Sequence, residues 1–500
     1  SYVHSTRGPS LLSHTLGTCL ERAAQLWPER DALVFLNEGE RCTFQQVLEK
    51  VEKLAQGFLT LGLQPGDRIG VLGPNSLSWV LTQLAAAYAG IILVTVNPMY
   101  QKDELEFVLK KVGCKVLVSP SAYKTQNYYG MLTEICPELP GSRPGALHSK
   151  RLPELRAMVT TGESLPGTLS FSDISAAATS ESEKQLRLVQ KSLDMDDPIN
   201  IQFTSGTTGQ PKAAVLTHHN IVNNAHLLGL RMGFHWRETR ICIPVPLYHC
   251  FGCVGGTLVA IIHGVTLFFP SPGFDASSAL NAVQKERCTV MYGVPTMYVD
   301  MLSALSIHNY DISSLDIGQH PVAYGTTENS PLTFSNFPQS DIKEKTETVG
   351  FVMPHMEAKV VDTSSGEIQP IEVPGELCIR GYCVMREVRD VYIAFLDAFG
   401  YCSIVGRSKE MLIRGGENIY PAEIEKILYL HPDIIEAHVV GAHDYRLGEE
   451  VCAVVKRKAG KSISEEEIQE FCKGKKRKRQ ITVISFLLMF PMNILPKKRR

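Results

Sequence analysis

The stretch from Phe203 to Asn220 (FTSGTTGQPKAAVLTHHN) concentrates the residue types that bind phosphate. Its glycines allow the backbone to turn back and present N–H groups to an anion, and its hydroxyl side chains add further donors. One lysine adds a compact positive charge that suits phosphate. The predicted phosphate-binding residues are Thr204, Ser205, Gly206, Thr207, Thr208, Gly209 and Lys212.

The residues around the lysine distinguish this loop from the P-loop of nucleotidases. Lys212 follows Pro211 rather than Gly, and Ala213 stands where a P-loop has Ser or Thr. The sequence therefore predicts phosphate binding by a different motif. An ordinary polar turn is the less favoured alternative, because many hydrogen-bond donors are concentrated in one loop.

The composition is that of a folded protein with large cores. The 500 residues include 44% hydrophobic and 20% charged residues, and the formal net charge is −2. This balance argues against a disordered chain and gives no reason to expect nucleic acid or an anionic membrane as a partner. The 13 Cys form no disulfide framework, which favours reduced thiols in an intracellular compartment. The single C-x-x-C pair, Cys250 and Cys253, makes a metal or redox site the less favoured interpretation.

Residues 241–274 contain no Asp, Glu, Lys or Arg, so a membrane span has to be considered. Several Pro, Gly and His residues interrupt this stretch. We predict a buried helix followed by the buried strand VTLFF, and no membrane span. The chain begins with Ser rather than Met, and we expect no targeting peptide within it.

Secondary structure must position these chemical groups, and the first part of the chain alternates helix-like and strand-like segments. Helical spacing that ends at a Gly occurs in CTFQQVLEKVEKLAQGFLTLG, SWVLTQLAAAYAG and KDELEFVLKKVG, and a short apolar segment follows each of them. This alternation predicts an α/β protein with a mainly parallel sheet covered by helices. Residues 139–190 are richer in Pro, Ser, Gly and charge, and we expect them to form a surface excursion.

The pattern changes after Gly350. Residues 357–381 predict short strands joined by turns, and a small α/β unit begins near Gly406. We therefore expect two domains. Residues 1–405 form a large domain of layered α/β subdomains with a small β-rich part, and residues 406–500 form a small, mobile α/β domain.

The segment FTSGTTGQPK resembles the signature loop of the adenylate-forming superfamily, which includes acyl-CoA synthetases, luciferases and peptide-synthetase adenylation domains. Four further segments resemble motifs of this superfamily and occur in the same order. They are PLYHCFG at 246–252, YGTTE at 324–328, GELCIRG at 375–381 and GRSKEMLIRGGENIYPAEIE at 406–425. The resemblance covers nearly the whole chain and is greatest to medium-chain fatty acyl-CoA ligases associated with mitochondria.

The resemblance implies an acid–thiol ligase that works in two steps. A carboxylate first reacts with ATP to give acyl-AMP and pyrophosphate, and the thiol of coenzyme A then displaces AMP. Backbone amides, a Lys and Mg²⁺ reduce the repulsion between the carboxylate and the triphosphate. The implied ligands are a fatty acid, ATP, Mg²⁺ and coenzyme A, and the implied location is the mitochondrion. Chain length and oligomeric state stay open.

The resemblance assigns roles to the YGTTE segment. Glu328 is the implied metal ligand, and Tyr324 lies against the adenine ring. Thr326 and Thr327 approach the α-phosphate, and Gly325 completes the nucleotide-binding motif. The implied catalytic residues are Lys212, Thr327, Glu328 and Lys497.

The same resemblance assigns an acyl pocket and a mobile hinge. Tyr292 begins an apolar wall of the pocket, with simple core packing of the same stripe as the alternative. His249 lies near it, and a simply packed histidine is an equal alternative. Arg407 contacts the nucleotide, and Lys409 is the hinge about which the small domain rotates between the two half-reactions. The residues of the loop that approaches coenzyme A are Gly415, Gly416 and Glu417.

Four features depart from the family's pattern. Ala213 replaces the Gly that usually follows Pro-Lys, and it would be strained if that position needs a positive φ. A β/α unit is missing before AYGTTE. Tyr392 stands in place of the Asp that holds the ribose hydroxyls, with Asp390 as a misregistered substitute. Pro496 replaces the Gly before the predicted C-terminal catalytic lysine.

These departures leave alternatives to an active ligase. Loss of one preorganised charge partner usually lowers a rate by about 100- to 1000-fold, so the departures are compatible with a catalytically impaired homologue that binds an acyl or nucleotide ligand. The cationic run KGKKRKR indicates either a solvated end or a basic-tailed interaction protein. Our main hypothesis is an ATP-dependent medium-chain fatty acyl-CoA ligase.

Overall fold

The structure is a computed structural model, and it divides the chain into two compact units. The larger unit contains His4–Glu357 and Ile379–Val388, and the smaller contains Ser1–Val3, Ala358–Cys378 and Arg389–Arg500. The structure describes all residues except 7, 205–210, 308, 317–321, 386–391, 408–411, 415–416, 420, 445–447, 459 and 473–500. The expected domain boundary after residue 405 stays a prediction.

The helices of the described residues follow the chain in this order. They are α1 (Leu16–Leu26), α2 (Phe44–Thr60), α3 (Leu77–Tyr88), α4 (Lys102–Val112), α5 (Tyr128–Ile135), α6 (Phe171–Ala176), α7 (Ser180–Ser192), α8 (His218–Arg231), α9 (Cys250–Gly252), α10 (Val259–His263), α11 (Ala276–Glu286), α12 (Pro295–Ile307), α13 (Ile342–Glu347), α14 (Pro421–Leu428) and α15 (Glu465–Cys472). A π-helical turn, Cys253–Leu258, joins α9 to α10, and 3₁₀ turns span Leu139–Gly141 and Thr327–Asn329.

The strands begin at the first residues of the chain. They are β1 (Tyr2–His4), β2 (Asp31–Phe35), β3 (Glu40–Thr43), β4 (Arg68–Leu72), β5 (Ile92–Val96), β6 (Val116–Ser119), β7 (Ala122–Tyr123), β8 (Gln126–Asn127), β9 (Ala157–Thr160), β10 (Leu169–Ser170), β11 (Pro198–Thr204), β12 (Lys212–Thr217), β13 (Arg240–Cys242), β14 (Thr266–Phe269), β15 (Val290–Met291), β16 (Ala323–Gly325), β17 (Leu332–Ser335), β18 (Phe351–Val352), β19 (Met356–Val361), β20 (Gly375–Gly381), β21 (Tyr392–Leu396), β22 (Cys402–Arg407), β23 (Leu412–Arg414), β24 (Glu417–Ile419), β25 (Ile434–Asp444) and β26 (Gly448–Arg457).

A seven-stranded sheet forms the centre of the larger unit, with strand order β10-β9-β6-β4-β5-β11-β12. All of its neighbouring strands run parallel except β11 and β12. Every residue of β5 is buried, as expected for a strand with helices on both faces of its sheet. The prediction of a mainly parallel sheet is therefore confirmed.

Local sequence signals explain where the predicted helices of this unit begin and end. Thr43 caps α2 in a reciprocal capping box with Gln46, which satisfies two backbone N–H groups of the first turn. Helix α4 ends at Gly113, whose φ of 60° lies in the left-handed region that a glycine adopts without strain. These signals were present in the sequence, and the three helices predicted from periodicity are confirmed as α2, α3 and α4.

The expectation that residues 139–190 form only a surface excursion is wrong. Within them, β9 is fully buried and pairs in parallel with β6. The apolar part of β9 is short and is surrounded by polar, Pro-rich sequence, which hides the strand signal. The strand is buried because it packs against the rest of the sheet, and its own short sequence does not indicate that burial.

The charge-free region 241–274 folds as helices and strands of the interior. Strand β13 precedes the helical segment that starts at Cys250, and β14 follows it within the five-stranded sheet β15-β13-β14-β2-β3. The predicted buried helix and buried strand are therefore confirmed. Among the helices of the described residues, none has the length and apolarity that crossing a bilayer requires.

Strands dominate much of the smaller unit. One sheet has the order β1-β19-β20-β21-β22, and a four-stranded sheet has the order β24-β23-β26-β25. Helices α14 and α15 cover a core that includes Leu428, Val439 and Ile468. The α/β character predicted for the C-terminal unit is confirmed in these elements, and its start near Gly406 stays a prediction.

Candidate active site

The predicted phosphate-binding loop connects two antiparallel strands. Strands β11 and β12 form a hairpin, and Thr204 pairs with Lys212 at the end of it. Ser205, Gly206, Thr207, Thr208 and Gly209 lie between these two positions, outside the described residues. Both Thr204 and Lys212 are half-buried. The hairpin therefore places the predicted lysine beside the threonine that opens the loop.

Ala213 pairs with Phe203 within this hairpin as a regular strand residue. Its φ is not in the positive region. The strain that a glycine-requiring position would impose therefore does not arise, and Ala213 is compatible with the loop.

Glu328 meets the phosphate-loop hairpin through a side-chain contact. The hydroxyl Oγ1 of Thr204 donates a hydrogen bond to Oε1 of Glu328 at 3.2 Å. Glu328 belongs to the 3₁₀ turn Thr327–Asn329, and its side chain is buried. Two sequence motifs 124 positions apart thus form one site.

The backbone of this turn is held by residues that follow β20. The amide of Met385 donates to the carbonyl of Glu328 at 2.9 Å, and Ser330 Oγ donates to the carbonyl of Cys383 at 2.6 Å. The turn ends at Ser330, which has a φ of 69°. These contacts fix the direction of the Glu328 side chain relative to the larger unit.

The other members of YGTTE lie in β16 or directly after it: Tyr324 and Gly325 belong to the strand, and Thr326 follows it. Gly325 lies so close to the carbonyl oxygen of Pro331 that a Cβ at this position would overlap it. Tyr324 is half-buried, and its ring centroid lies 6.4 Å from that of Phe334. Thr326 is extended and precedes the turn directly. The glycine of this motif is therefore required by close backbone packing.

Glu328 and Thr204 have the chemistry that Mg²⁺ prefers, because both offer hard oxygen ligands. No group of three or more His, Cys, Asp or Glu that could hold a metal occurs among the described residues. Mg²⁺ usually takes one or two protein carboxylates and completes its shell with water and substrate phosphates. A single buried carboxylate beside a phosphate loop therefore fits this ion, and Glu328 would hold it.

His249 and Tyr292, the two predicted acyl-pocket residues, are connected by Phe251. The amide of Phe251 donates to Nδ1 of His249 at 3.2 Å. The rings of Phe251 and Tyr292 stack with centroids 5.1 Å apart, and the Tyr292 hydroxyl donates to the carbonyl of Gly255 at 3.1 Å. Because this bond engages the hydroxyl, Tyr292 presents mainly its ring to the surroundings.

Desolvation by surrounding protein lowers the pKa of His249, although its side chain is accessible to solvent. The imidazole is therefore neutral near pH 7, which suits an apolar or uncharged ligand group.

The Cys250–Cys253 pair connects the pocket to both motifs. Cys250 lies near Thr327 and Glu328 of the YGTTE segment, and Nε2 of Gln202 donates to Sγ of Cys253 at 3.0 Å. Burial raises the pKa of Cys250 well above its usual value and that of Cys253 to about 12. Both thiols are therefore protonated at neutral pH and act as packing groups.

The smaller unit contains the remaining described candidates. Arg407 ends β22 and pairs with Tyr392 on β21, the residue that stands where the family has an Asp. Glu417 begins β24. Among the other predictions, the following positions lie outside the described residues: Asp390, Lys409, Gly415, Gly416, Pro496 and Lys497.

Sequence reasoning missed Phe251, Gln202 and Asn224 as neighbours of the site. Phe251 lies within PLYHCFG and Gln202 lies two positions before Thr204, so motif proximity is a signal that could have indicated both. Asn224 lies in α8, and its contact with the YGTTE region is visible only in the fold.

Family comparisons cover most of the chain. Residues 20–322 and 318–388 match the family described as AMP-binding enzyme, and residues 423–499 match the AMP-binding enzyme C-terminal domain. The two stretches of the first match overlap at residues 318–322, immediately before the AYGTTE segment where the sequence predicts a missing β/α unit.

Individual relatives agree with this match. The chain is 47% identical over 538 aligned residues to the mitochondrial medium-chain acyl-CoA ligase ACSF2 of Danio rerio, with 99% of this chain and 89% of that protein covered. It is 48% identical to the protein of the same name from Rattus norvegicus, with 95% of this chain and 84% of that protein covered.

Solved structures show the same fold at lower identity. ATP-bound MatB from Rhodopseudomonas palustris superposes with a TM-score of 0.80 at 23% identity, with 96% of each chain covered. The anthranilate CoA ligase AuaEII in complex with anthranoyl-AMP gives 0.79 at 24% identity, with 96% of this chain and 94% of that chain covered. The predicted α/β fold with a large N-terminal and a small C-terminal domain is thereby confirmed. The chain belongs to the family of AMP-binding enzymes.

Proposed function

We propose that this protein is an ATP-dependent fatty acid–CoA ligase that activates a medium-chain fatty acid through acyl-AMP. The observation that carries the proposal is the hydrogen bond between Thr204 and Glu328, which joins the phosphate-loop hairpin to the YGTTE turn. The high identity to medium-chain acyl-CoA ligases over nearly the whole chain supports the substrate class.

The site residues address the charge repulsion of the first step. In this proposal Lys212, which pairs with Thr204 at the end of the hairpin, binds the phosphates that leave as pyrophosphate, and the Thr204 hydroxyl keeps Glu328 at this end of the hairpin. When bound, Mg²⁺ supplies Lewis-acid neutralisation of phosphate charge. Preorganised groups of this kind stabilise the transition state because they need no reorganisation during the reaction.

In this proposal the acyl group lies beside His249, Phe251 and Tyr292. A neutral imidazole and two stacked rings are compatible with an alkyl chain and offer no ammonium or guanidinium partner for a second carboxylate. The assignment of a fatty acid rather than a dicarboxylic acid rests on these three side chains.

Residues of the smaller unit would complete the two half-reactions. In this proposal Arg407 contacts the nucleotide, Lys409 is the hinge, and Lys497 reaches the acyl phosphate during adenylation. Gly415, Gly416 and Glu417 would approach coenzyme A in the thioester-forming step. We further propose a mitochondrial location, in keeping with the names of the relatives.

A catalytically impaired homologue that binds an acyl or nucleotide ligand is the second candidate. One observation favours it: Tyr392, rather than an Asp, is the partner of Arg407 in the antiparallel pair. A phenol cannot accept hydrogen bonds from two ribose hydroxyls as a carboxylate does. Weak binding of adenosine would lower the rate without altering the fold.

Pyrophosphate release distinguishes the two candidates. The purified protein is incubated with ATP, Mg²⁺ and short-, medium- or long-chain fatty acids, with and without coenzyme A. Release that depends on a medium-chain acid and is lost in Glu328→Gln supports the ligase. Weak ATP binding, together with fatty-acid binding and no pyrophosphate release from any acid, supports the impaired homologue.

A further inference from the structure

Helix α8 contains adjacent buried asparagines, Asn223 and Asn224, whose side chains are both fully shielded from solvent. Asparagine is a poor residue for a helix interior, because its amide competes with the backbone for hydrogen bonds. A buried amide also costs free energy unless it is hydrogen-bonded. Their presence in the helix therefore calls for specific partners.

Asn224 is bound to the segment that follows Glu328. Its Oδ1 accepts from the amide of Leu332 at 3.1 Å, and its Nδ2 donates to the carbonyl of Leu332 at 2.8 Å. The same Nδ2 lies 3.4 Å from the carbonyl oxygen of Asn329, within the turn itself. One side chain thus holds both backbone groups of Leu332 in the manner of a neighbouring strand.

Helix α8 is also continuous with the phosphate-loop hairpin. Strand β12 begins at Lys212, and Thr217 at its end caps α8 in a reciprocal capping box with Asn220. No flexible connection separates the lysine from Asn224, because the strand passes directly into the helix. Strand β12 and helix α8 therefore connect Lys212 directly to Asn224, which binds the segment that follows Glu328.

We propose that Asn224 is a positioning residue that sets the Glu328 carboxylate at the correct distance from the phosphate loop. The inference rests on the proposed role of Glu328 as the metal ligand. Without the Asn224 amide, the buried N–H and C=O of Leu332 lose their partners, and the turn gains freedom where it must be fixed. Loss of a group that orients a metal ligand typically lowers metal affinity by about 10- to 100-fold.

Asn223 provides a matched control in the next helical position. Its Oδ1 accepts from the amide of Leu12 at 2.6 Å, and its Nδ2 donates to the carbonyl of Leu12 at 3.0 Å. The burial and the pair of bonds equal those of Asn224, but the clamped residue belongs to the N-terminal segment. Asn223→Ala and Asn224→Ala should therefore cost similar stability and differ in their effect on the site.

The test measures ATP binding by titration calorimetry over a series of Mg²⁺ concentrations, together with amide hydrogen exchange. We expect Asn224→Ala to raise the Mg²⁺ midpoint by about 10- to 100-fold and to accelerate exchange at Leu332. We expect Asn223→Ala to leave the midpoint unchanged and to accelerate exchange at Leu12 instead. Glu328→Gln should remove the Mg²⁺ dependence.

The outcomes separate the two levels of the argument. If Glu328→Gln keeps the wild-type midpoint, the metal-ligand assignment is wrong and the inference falls with it. If Glu328→Gln shifts the midpoint while Asn224→Ala does not, only the inference is overturned. Equal midpoints for the two asparagine variants would likewise reduce Asn224 to a general stabilising contact.

Discussion

The hydroxyl of Thr204 donates to the carboxylate of Glu328 at 3.2 Å, so the end of β11 and the YGTTE turn share a hydrogen bond. A threonine in this place keeps the buried carboxylate partnered at the end of β11. A hydrogen bond to a charged group contributes about 1.5–3 kcal/mol, which is large enough to hold one rotamer.

Removal of this bond should impair adenylation. In Thr204→Val, Glu328 loses its donor, and we expect kcat for pyrophosphate release to fall by about 10- to 100-fold. Thr333→Val is the control, because the buried Thr333 hydroxyl has no hydrogen-bond partner among the described residues. That variant should be neutral or slightly stabilising, and an equal loss of activity in both variants would contradict the role of Thr204.

Gly325 should tolerate no larger residue. In Gly325→Ala, the new methyl group overlaps the Pro331 carbonyl, and we expect a loss of about 1–3 kcal/mol in the free energy of unfolding. Urea denaturation monitored by circular dichroism measures it. Gly162→Ala serves as control, since the described atoms leave open space around Gly162. Unchanged stability of Gly325→Ala would show that the turn can move away from β16.

Phe251 should influence the preferred length of the fatty acid. Its ring stacks on Tyr292, and in Phe251→Ala the removed ring leaves space beside His249. We expect kcat/KM to fall for medium-chain acids and to rise for long-chain acids, measured by pyrophosphate release. Tyr292→Phe keeps the stacked ring and removes only the bond to Gly255, so its chain-length profile should match the wild type. Identical profiles for Phe251→Ala and the wild type would place the alkyl chain elsewhere.

Replacement of Tyr392 should test whether the ribose of ATP contacts this position. Tyr392→Asp returns a carboxylate to the strand position opposite Arg407. If the ribose is bound here, KM for ATP should fall by about tenfold, the change expected from one charge-assisted hydrogen bond. Tyr392→Phe controls for loss of the phenol. A KM for ATP that is equal in both variants would show that the ribose does not contact this position.

A buried and a half-buried histidine that stack on each other should make the larger unit sensitive to acid. His226 and His263 stack with centroids 5.6 Å apart, and desolvation is the main cause that lowers the pKa of each to about 4. An unfolded histidine has a pKa near 6.5, so the unfolded chain binds more protons between these values. Stability is therefore present above about pH 6.5 and is lost as the pH falls towards 4, by at most about 1.4 kcal/mol per pKa unit for the buried His263 and by less for the half-buried His226, whose charge the solvent screens.

Urea unfolding at pH 7 and pH 5 measures this loss. In His263→Gln one of the two titrating rings is absent, so the difference between the two pH values should be smaller than in the wild type. A difference of the same size in both proteins would assign the acid sensitivity to other groups.

The sequence predicts some parts of this fold better than others. Helices α2 and α4 were readable because their caps and periodicity are local, as with Thr43 and Gly113. The phosphate loop and YGTTE were recognisable because each is a run of consecutive residues with characteristic chemistry. Strand β9 was missed because its burial comes from partners elsewhere in the sheet.

Contacts between distant segments account for the remaining gaps. Nothing in the sequence near Asn224 indicates Leu332, which lies 108 positions later. The stacking of Phe251 on Tyr292 likewise depends on how α9 and β15 come together. Such pairs depend on the fold as a whole, and local sequence propensities do not predict them.

Strand β2 pairs with β14, a strand that the ribosome synthesises much later. Leu33 is in register with Leu267, whereas its hairpin neighbour β3 ends only eight residues after β2, at Thr43. During translation the β2–β3 hairpin therefore emerges long before the strand that covers its open edge. All strands of the seven-stranded sheet emerge before β14 does. Until β14 emerges, the edge of β2 has unpaired backbone N–H and C=O groups. The nascent chain therefore exposes a strand edge that can pair with other chains during much of its synthesis. Holdase chaperones that cover such edges would prevent this pairing.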